Sequence, residues 1–199
     1  MCNDSANNMG TIRCVSIQDI WGLDSFCNDV INSYQCPMNP DIEWFLKDKA
    51  IEFEKRHWTR TYMVFCDGIL GSSVLVGYFS IGLKNIEVSQ SASKSLRKKV
   101  TGSANIENSP ALLLGQIGRN FNEILGTIKA IPGEELVKLA LKKLRQVNSL
   151  IGGRVVLVEC KDIEALRKFY SKEGFTSLGQ REDLLQYIKP INSLKGVYH

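Results

Sequence analysis

The fold of this chain is decided by residues 155–175, which have the sequence VVLVECKDIEALRKFYSKEGF. The segment opens with an apolar, β-branched run, and such a run over residues 155–159 predicts a buried strand of the kind found in parallel sheets. A polar turn follows, in which Asp162 has the side chain of a helix cap. Apolar residues then recur at helical spacing, namely Ile163, Leu166, Phe169 and Tyr170. Gly174 can adopt the left-handed conformation that ends a helix, so a buried strand and an amphipathic helix are predicted.

A second strand and helix precede this segment. Residues 111–117 form a short apolar run that predicts a strand. A helix is predicted over residues 133–148, with inward positions at Leu136, Leu139, Ala140 and Leu144. It ends at the glycine pair Gly152-Gly153. Because a strand, helix and strand joined by a right-handed crossover lie side by side, we expect the two strands to be parallel neighbours.

The N-terminal half adds further strands and helices. Residues 12–17 alternate between apolar and polar side chains and predict a strand, and residues 20–34 have the spacing of an amphipathic helix. Residues 39–41 supply cap chemistry for a further helix. The inward stripe of that helix consists of Ile42, Phe45, Leu46, Ala50 and Phe53. Residues 61–66 and 74–83 are rich in strand formers and predict an antiparallel hairpin.

The whole chain predicts one α/β domain. Residues 175–178 and 184–188 complete the pattern with a final strand pair, so the predicted order is β-α-α-β-β-β-α-β-α-β-β. The chain has 199 residues, of which 44% are hydrophobic and 23% are charged, and this is the composition of one globular domain. We therefore expect a single domain over residues 1–199, with residues 1–10 as a disordered tail.

Composition excludes several classes of protein. The longest apolar runs are far shorter than the roughly 20 residues that cross a bilayer, which argues against a membrane-spanning helix. The N-terminal MCNDSANNMG has neither the positive start nor the apolar centre of a secretory signal, so we expect a cytoplasmic protein. Six cysteines occur without a C-x-x-C pair, and free thiols rather than a zinc cage are expected.

One segment concentrates positive charge. The net charge of +4 mildly favours an anionic partner. Residues 89–108 are rich in Ser and Asn and nearly free of large apolar side chains, which predicts a long basic surface loop with one helical turn. Its cations are Lys94, Arg97, Lys98 and Lys99. Such a run suits contact with an acidic acceptor or with RNA phosphate, and equally suits a solvated face.

The order of residues in the deciding segment resembles a family signature. Asp162 stands three residues before Ala165, and the pairs Phe169-Tyr170 and Gly174-Phe175 follow. This order resembles the signature of the GCN5-related N-acetyltransferase (GNAT) superfamily. Upstream, PALLLGQIGRN is similar to that family's central strand beside acetyl-CoA, and ELVKLALKKL is similar to its pyrophosphate-binding helix.

The resemblance implies a fold and an activity. The implied fold is a single-domain GNAT-like fold: a mixed, mostly antiparallel sheet with helices on both faces and a central parallel strand pair splayed to bind acetyl-CoA. The implied activity is acetyl-CoA-dependent transfer of an acetyl group to a primary amine, by direct attack in a ternary complex. The partners are then acetyl-CoA as co-substrate and an amine acceptor.

Site residues follow from the same resemblance. Tyr170 matches the tyrosine that protonates the departing thiolate in many members, and Glu159 is a candidate base for the acceptor amine. The backbone N–H of Ile117 or Gly118 is the expected oxyanion donor. The implied cofactor-binding residues are Gln116, Ile117, Gly118, Arg119, Lys129, Gly133, Asp162 and Phe169, and no metal is implied.

Several residues depart from the family pattern or have a simpler explanation. Of the family's phosphate loop only the glycine at Gly133 is retained. Glu134 and Glu135 occupy the first helical turn, where carboxylates suit the helix dipole but repel a pyrophosphate. Asp162 stands where the family usually has Asn, and a helix cap alone explains it. A core aromatic likewise explains Tyr170, and a solvent-facing carboxylate explains Glu159.

Two alternatives to this function remain open on the sequence. One is a toxin-type acetyltransferase that acts on aminoacyl-tRNA, which the basic segment at residues 89–108 permits. The other is a non-catalytic GNAT-like binding module, whose degenerate phosphate loop no longer holds acetyl-CoA. The acceptor amine and the oligomeric state, a homodimer included, are not determined by the sequence.

Overall fold

The apolar and β-branched runs form seven strands of one mixed sheet in a computed structural model of the protein, which describes residues 10–69, 72–122 and 131–194. The strands are β1 (Ile12–Ser16), β2 (Thr59–Ile69), β3 (Ser72–Glu87), β4 (Asn108–Arg119), β5 (Val155–Lys161), β6 (Thr176–Arg181) and β7 (Leu184–Pro190). Their order across the sheet is β1-β2-β3-β4-β5-β7-β6. Only β4 and β5 are parallel, and the other neighbouring pairs are antiparallel. This confirms the predicted succession of seven strands along the chain and the central parallel pair.

Helices cover both faces of the sheet. They are α1 (Asp24–Asn32), α2 (Pro40–Trp44), α3 (Ala50–Lys55), α4 (Lys94–Thr101), α5 (Gly133–Ile151) and α6 (Glu164–Lys172), with a π-helical turn at Phe45–Lys49 between α2 and α3. Short 3-10 turns lie at Ile17–Asp19 and Ile191–Leu194. Within the described ranges, none of these helices combines the length and the hydropathy that crossing a membrane requires.

Strand alternation divides the core between the two faces. On one face, Leu112 and Leu114 of β4 and Val156 and Val158 of β5 are buried against α5 and α6. On the other face, one cluster lies beneath α1, α2 and α3, and a second lies beneath α4 and contains Val155 and Leu157. Because side chains of a strand alternate between faces, neighbours in sequence belong to different clusters.

The segment at residues 89–108 contains more helix than the one turn predicted for it, because α4 has 8 residues. The hydroxyl of Ser93 accepts a hydrogen bond from the backbone N–H of Leu96 and caps the helix. Val100 is fully buried in the cluster beneath α4, and Leu96 packs against the same cluster. Gly102, with a φ of +89°, ends the helix. Two apolar positions four residues apart were too weak a pattern to predict this helix.

Two further predictions about helix starts are wrong. Helix α6 begins at Glu164 with Ile163 in the capping position, and Asp162 pairs with Arg167 instead of capping the helix. A turn closed by the Ile163 N–H on the Lys161 carbonyl shifts the helix start past Asp162. The helix predicted over residues 20–34 is also shorter, since α1 begins only at Asp24.

The central strands separate where they approach the C-terminal end of β4. Their three pairs run from Leu112–Val156 to Leu114–Val158, and both strands continue beyond the last pair without further pairing among the described residues. On its other edge, β4 carries a bulge at Gly115, where the register with β3 shifts by one residue. The splayed pair predicted by the family resemblance is therefore present.

Candidate active site

A cavity of about 940 Å³ lies beside the end of β4, beyond the last pair that β4 makes with β5. It is bounded by the end of β4, the N-terminus of α5, one face of α6 and the segment between α1 and α2. Its lining residues are Cys36, Met38, Asn39, Ile42, Ile117, Gly118, Arg119, Phe121, Pro132, Gly133, Glu134, Leu136, Val137, Ile163, Ala165, Leu166, Phe169 and Tyr170. A large, mostly apolar cavity with a few polar groups is typical of a ligand site.

The wall formed by β4 depends on a glycine. A Cβ atom at Gly118 would lie 2.4 Å from the Tyr34 hydroxyl oxygen and 2.6 Å from Cγ2 of Ile42. Both distances are far shorter than any normal carbon contact, so only glycine permits this approach of α2 and its preceding segment to β4. Arg119 follows, and its guanidinium lies 4.9 Å from the centre of the Phe121 ring at the cavity wall.

Asn120 connects β4 to the segment between α1 and α2. Its side-chain carbonyl accepts hydrogen bonds from the backbone N–H groups of Gln35 (2.9 Å) and Asn122 (3.1 Å). Its amide nitrogen donates to the carbonyl of Leu75 at 2.8 Å, in β3. Asn120 is fully buried, and a buried amide satisfied in this way fixes the surrounding backbone. The far wall of the cavity is thereby held against β4.

The N-terminus of α5 faces the cavity. Pro132 occupies the capping position and makes no side-chain cap, and the first N–H groups of a helix have no intrahelical acceptor. The carboxylate of Glu134 accepts a hydrogen bond from its own backbone N–H and pairs with Lys172 of α6 at 3.0 Å. These interactions lower the pKa of Glu134, so the carboxylate is charged at neutral pH. A negative charge therefore lies at the helix end where an anion would bind.

Tyr170 lies between the sheet and the cavity. Its ring packs edge-on against Phe169 and Phe175 at centroid distances of 5.3 and 5.5 Å, and lies 5.7 Å from Tyr187. The residue is 5% exposed and lines the cavity, and no described residue hydrogen-bonds its hydroxyl. Burial raises the pKa of Tyr170 above its ordinary value, so the hydroxyl keeps its proton at neutral pH.

Glu159 lies on the opposite face of β5 from Tyr170. Val158 and Cys160, its neighbours in β5, belong to the same core cluster as Tyr170. Because side chains of a strand alternate between faces, Glu159 lies on the other face, together with Leu157. One carboxylate oxygen pairs with Lys84 of β3 at 2.6 Å, and the other accepts a hydrogen bond from Gln186 of β7 at 2.8 Å. Glu159 is therefore a partly buried, doubly bonded carboxylate and does not line the cavity.

The structure brings together most residues that the family resemblance implied. Those that line the cavity are Ile117, Gly118, Arg119, Gly133, Phe169 and Tyr170. Gln116 and Glu159 belong to the two strands that open the cavity but do not line it, and neither does Asp162, which is exposed beside Arg167. Lys129 lies outside the described residues.

Sequence reasoning missed the far wall of the cavity. That wall is formed by Cys36, Met38, Asn39 and Ile42, about which the motif in residues 155–175 carries no information. The sequence feature that comes nearest to indicating this wall is Gly118, because a glycine within an apolar strand suggests that another backbone or a ligand approaches closely. The approaching group could be identified only once the segment before α2 had been placed against β4.

Comparison with known proteins shows the fold. No protein-family model and no curated protein matches the sequence. Among solved structures, a tyrosine-to-phenylalanine mutant of KacT matches with a TM-score of 0.69 and 20% identity, over 94% of this chain and 99% of that chain. AtaTR bound with acetyl-CoA matches with a TM-score of 0.66 and 20% identity, over 94% of this chain and 98% of that chain.

A third structure, AtaT complexed with acetyl-methionyl-tRNAfMet, matches with a TM-score of 0.68 and 19% identity, over 95% of this chain and all of that chain. Coverage of nearly the whole of both chains shows that this protein and the three neighbours share one fold. The predicted GNAT-like fold is thus confirmed.

Proposed function

We propose that the protein is an acetyl-CoA-dependent N-acetyltransferase that moves an acetyl group to a primary amine. The observation that carries the proposal is the cavity beside the end of β4, beyond its last pair with β5, which is bounded by the N-terminus of α5 and by Tyr170. The likeness to AtaTR bound with acetyl-CoA supports it. A ligand of this kind needs a narrow apolar channel for its thioester arm and an anion site for its phosphates.

The residues present fit such a ligand. The first turn of α5 can receive a phosphate through the Gly133 N–H, and through the Glu134 N–H once the Glu134 carboxylate releases it; Gly133 keeps the helix end uncovered by a side chain. Arg119 lines the cavity, and Lys172 pairs with Glu134 in the first turn of α5, so both bring positive charge near that helix end. The thioester supplies the acetyl group, and the apolar lining of Ile117 and Phe169 excludes water from it.

Each candidate residue then has a role. The backbone N–H of Ile117 or Gly118 stabilises the oxyanion that forms when the amine attacks the thioester carbon. Tyr170 donates its proton to the departing sulfur. Glu159, on the other face of the opened strands, accepts a proton from the attacking amine. The acceptor consequently approaches from the face of the sheet opposite α5 and α6.

Titration calorimetry with acetyl-CoA tests this function. We expect heat of binding and a concentration-dependent rise in Tm, because a ligand that binds only the native state stabilises it. Adenosine 3′,5′-bisphosphate, which lacks the thioester arm, is the control and should bind more weakly. A folded protein that shows neither heat nor a rise in Tm would contradict the proposal and favour the non-catalytic binding module.

Glu134→Gln is expected to tighten acetyl-CoA binding. The change removes a carboxylate from the end of α5, where it opposes a diphosphate by like charge and holds Lys172 in an ion pair. We expect Kd to fall about three- to tenfold at low salt, with the gain shrinking as salt screens the charge. Calorimetry over a salt series measures both effects.

Glu135→Gln is the matched control for that prediction. Glu135 lies in the same helical turn and has the same charge, but it pairs with Lys138 and does not line the cavity. We expect its Kd to stay close to that of the parent protein. Equal Kd values for the two variants would show that Glu134 does not face the bound phosphates.

A second candidate acceptor is aminoacyl-tRNA, favoured by the surface of α4. Its cations Lys94, Arg97, Lys98 and Lys99 form no ion pair with any carboxylate in the described part of the chain. Positive side chains without carboxylate partners are available to phosphate oxygens. The likeness to AtaT complexed with acetyl-methionyl-tRNAfMet points to the same class of acceptor.

Filter binding of tRNA distinguishes this acceptor from a small amine. Changing the four cations of α4 to Gln should weaken binding and make the salt slope less steep by about 0.7 to 0.9 per lost contact. The control changes Lys47, Lys49, Arg56 and Lys168 to Gln, which alters net charge equally but removes cations that are already paired. Equal losses in both variants would mean that α4 makes no specific contact.

A further inference from the structure

The Lys84 side chain already places an amine on the carboxylate of Glu159, the proposed base for the acceptor amine. The ammonium of Lys84 contacts Oε2 of Glu159 at 2.6 Å, while Oε1 is held by Gln186 at 2.8 Å. The Lys84 side chain is 41% exposed, and that of Glu159 is 14% exposed. The ammonium of this pair is therefore open to solvent, while its carboxylate is mostly covered.

The Lys84–Glu159 pair differs from the other ion pairs described here in its position on the sheet. Lys84 lies in β3 and Glu159 in β5, so the lysine side chain reaches across β4. Glu159 is the first residue of β5 beyond the last β4–β5 pair, at the point where the strands separate. Gly115 follows the last paired residue of β4, is the bulge residue of that strand, and has no side chain. The amine therefore lies at the level where β4 and β5 cease to pair, on the face of the sheet opposite Tyr170.

We propose that Lys84 is a site of self-acetylation by an acyl thioester bound in the cavity. The inference rests on the proposed function, because that function supplies the thioester as co-reactant. It adds an acceptor within the chain itself, on the face that an external amine would approach. The geometry that supports it is the contact with Glu159 at the strand opening and not the exposure of a lysine as such.

Acetyl transfer to Lys84 replaces the C–S bond of the thioester with an N–C bond. Glu159 takes a proton from the Lys84 ammonium, and the freed lone pair forms an N–C bond to the acetyl carbonyl carbon. The C–S bond then breaks, and the thiolate takes the Tyr170 proton, which water restores. The second proton that leaves the nitrogen passes through Glu159 to water. The products are a neutral N-acetyl-lysine and a free thiol.

Acetylation would change the surroundings of the base. A neutral amide cannot form the ion pair that Lys84 now makes, so Glu159 would keep only its hydrogen bond from Gln186. Its carboxylate would then be open to the ammonium of an external acceptor. Self-acetylation thus removes a competitor from the position that the acceptor needs.

Incubation of the whole protein with acetyl-CoA, followed by intact-mass measurement and peptide mapping, tests the inference. Lys168 is the internal control, because it also contacts a carboxylate at 2.6 Å, that of Glu164, but lies exposed on α6 outside the cavity. Since positioned acid and base groups contribute about 10²- to 10⁴-fold, we expect Lys84 to be acetylated at least about 100 times faster than Lys168. Tyr170→Phe should slow acetylation at Lys84 and leave Lys168 unchanged.

Lys84→Arg keeps the positive charge beside Glu159 and should abolish the fast acetylation without impairing acetyl-CoA binding. Equal rates at Lys84 and Lys168, in protein that binds acetyl-CoA by calorimetry and acetylates an added amine, would overturn this inference and leave the proposed function standing. If acetyl-CoA does not bind at all, both the inference and the proposed function are wrong.

Discussion

Tyr170→Phe is expected to lower kcat by about 10²- to 10⁴-fold while leaving acetyl-CoA affinity nearly unchanged. The ring is held by Phe169, Phe175 and Tyr187, and phenylalanine keeps that packing. The change removes only the hydroxyl, for which the described residues offer no hydrogen-bond partner. Burial raises the pKa of Tyr170, so the lost group is a protonated donor that faces the cavity. Steady-state kinetics and calorimetry separate the loss of turnover from any loss of binding.

Tyr187→Phe is the matched control for Tyr170→Phe. Tyr187 is 4% exposed, belongs to the same aromatic cluster and does not line the cavity. We expect its kcat to remain within about threefold of the parent value, because a change away from the reacting atoms removes no stabilisation specific to the transition state. An unchanged kcat in Tyr170→Phe would eliminate the proposed acid. A collapse of acetyl-CoA affinity in that variant would instead indicate a role in shaping the cavity.

Gly118→Ala is expected to destabilise the protein by about 1 to 3 kcal/mol, the usual cost of overpacking. The new methyl group would lie 2.4 Å from the Tyr34 hydroxyl oxygen and 2.6 Å from Ile42, both of which must move. Because Ile42 lines the cavity, its displacement changes the ligand site as well as the core. We therefore expect acetyl-CoA affinity to fall at least about tenfold, a factor that corresponds to 1.4 kcal/mol. Thermal unfolding and calorimetry measure the two effects.

Gly115→Ala provides the comparison within the same strand. A Cβ atom there would lie 3.3 Å from the hydroxyl oxygen of Ser80 and 3.6 Å from Leu113, and a small rotation of Ser80 about its Cα–Cβ bond relieves so slight a contact. We expect a loss of stability below about 1 kcal/mol, in the range of most single substitutions. If Gly118→Ala were no more harmful than Gly115→Ala, the close approach of Tyr34 to β4 would not shape the cavity.

Strand and helix positions could be predicted to the extent that their causes are local. The helix over residues 133–148 was predicted from apolar periodicity, and the structure extends it only to Ile151. Gly152 and Gly174 both have positive φ angles at the ends of the helices they were expected to terminate. Helix α4 was missed because its stability comes from burying Val100 beneath a sheet face, and a sequence window contains no information about that face.

The candidate site likewise has residues that the local sequence identified and contacts that only the sheet determines. Ile117, Gly118, Gly133, Phe169 and Tyr170 could be identified from the order of residues around two strands and two helices, and the cavity contains all of them. Glu159 was identified by its position at a strand end, but its contacts with Lys84 and Gln186 involve two other strands. Which residues face each other across a sheet depends on strand order and register, which no single segment encodes.

The sequence by itself determined the succession of strands and helices, their glycine termini and the residue types available for acid, base and anion-binding chemistry. These properties arise from interactions within a few residues, so the local spacing of residue types predicts them. Only the tertiary structure decided that Tyr170 and Glu159 lie on opposite faces, that Tyr34 approaches Gly118, and that Lys84 reaches Glu159 across β4. The contacts Tyr34–Gly118 and Lys84–Glu159 join residues 84 and 75 positions apart, and such distant segments meet only when the whole sheet has formed.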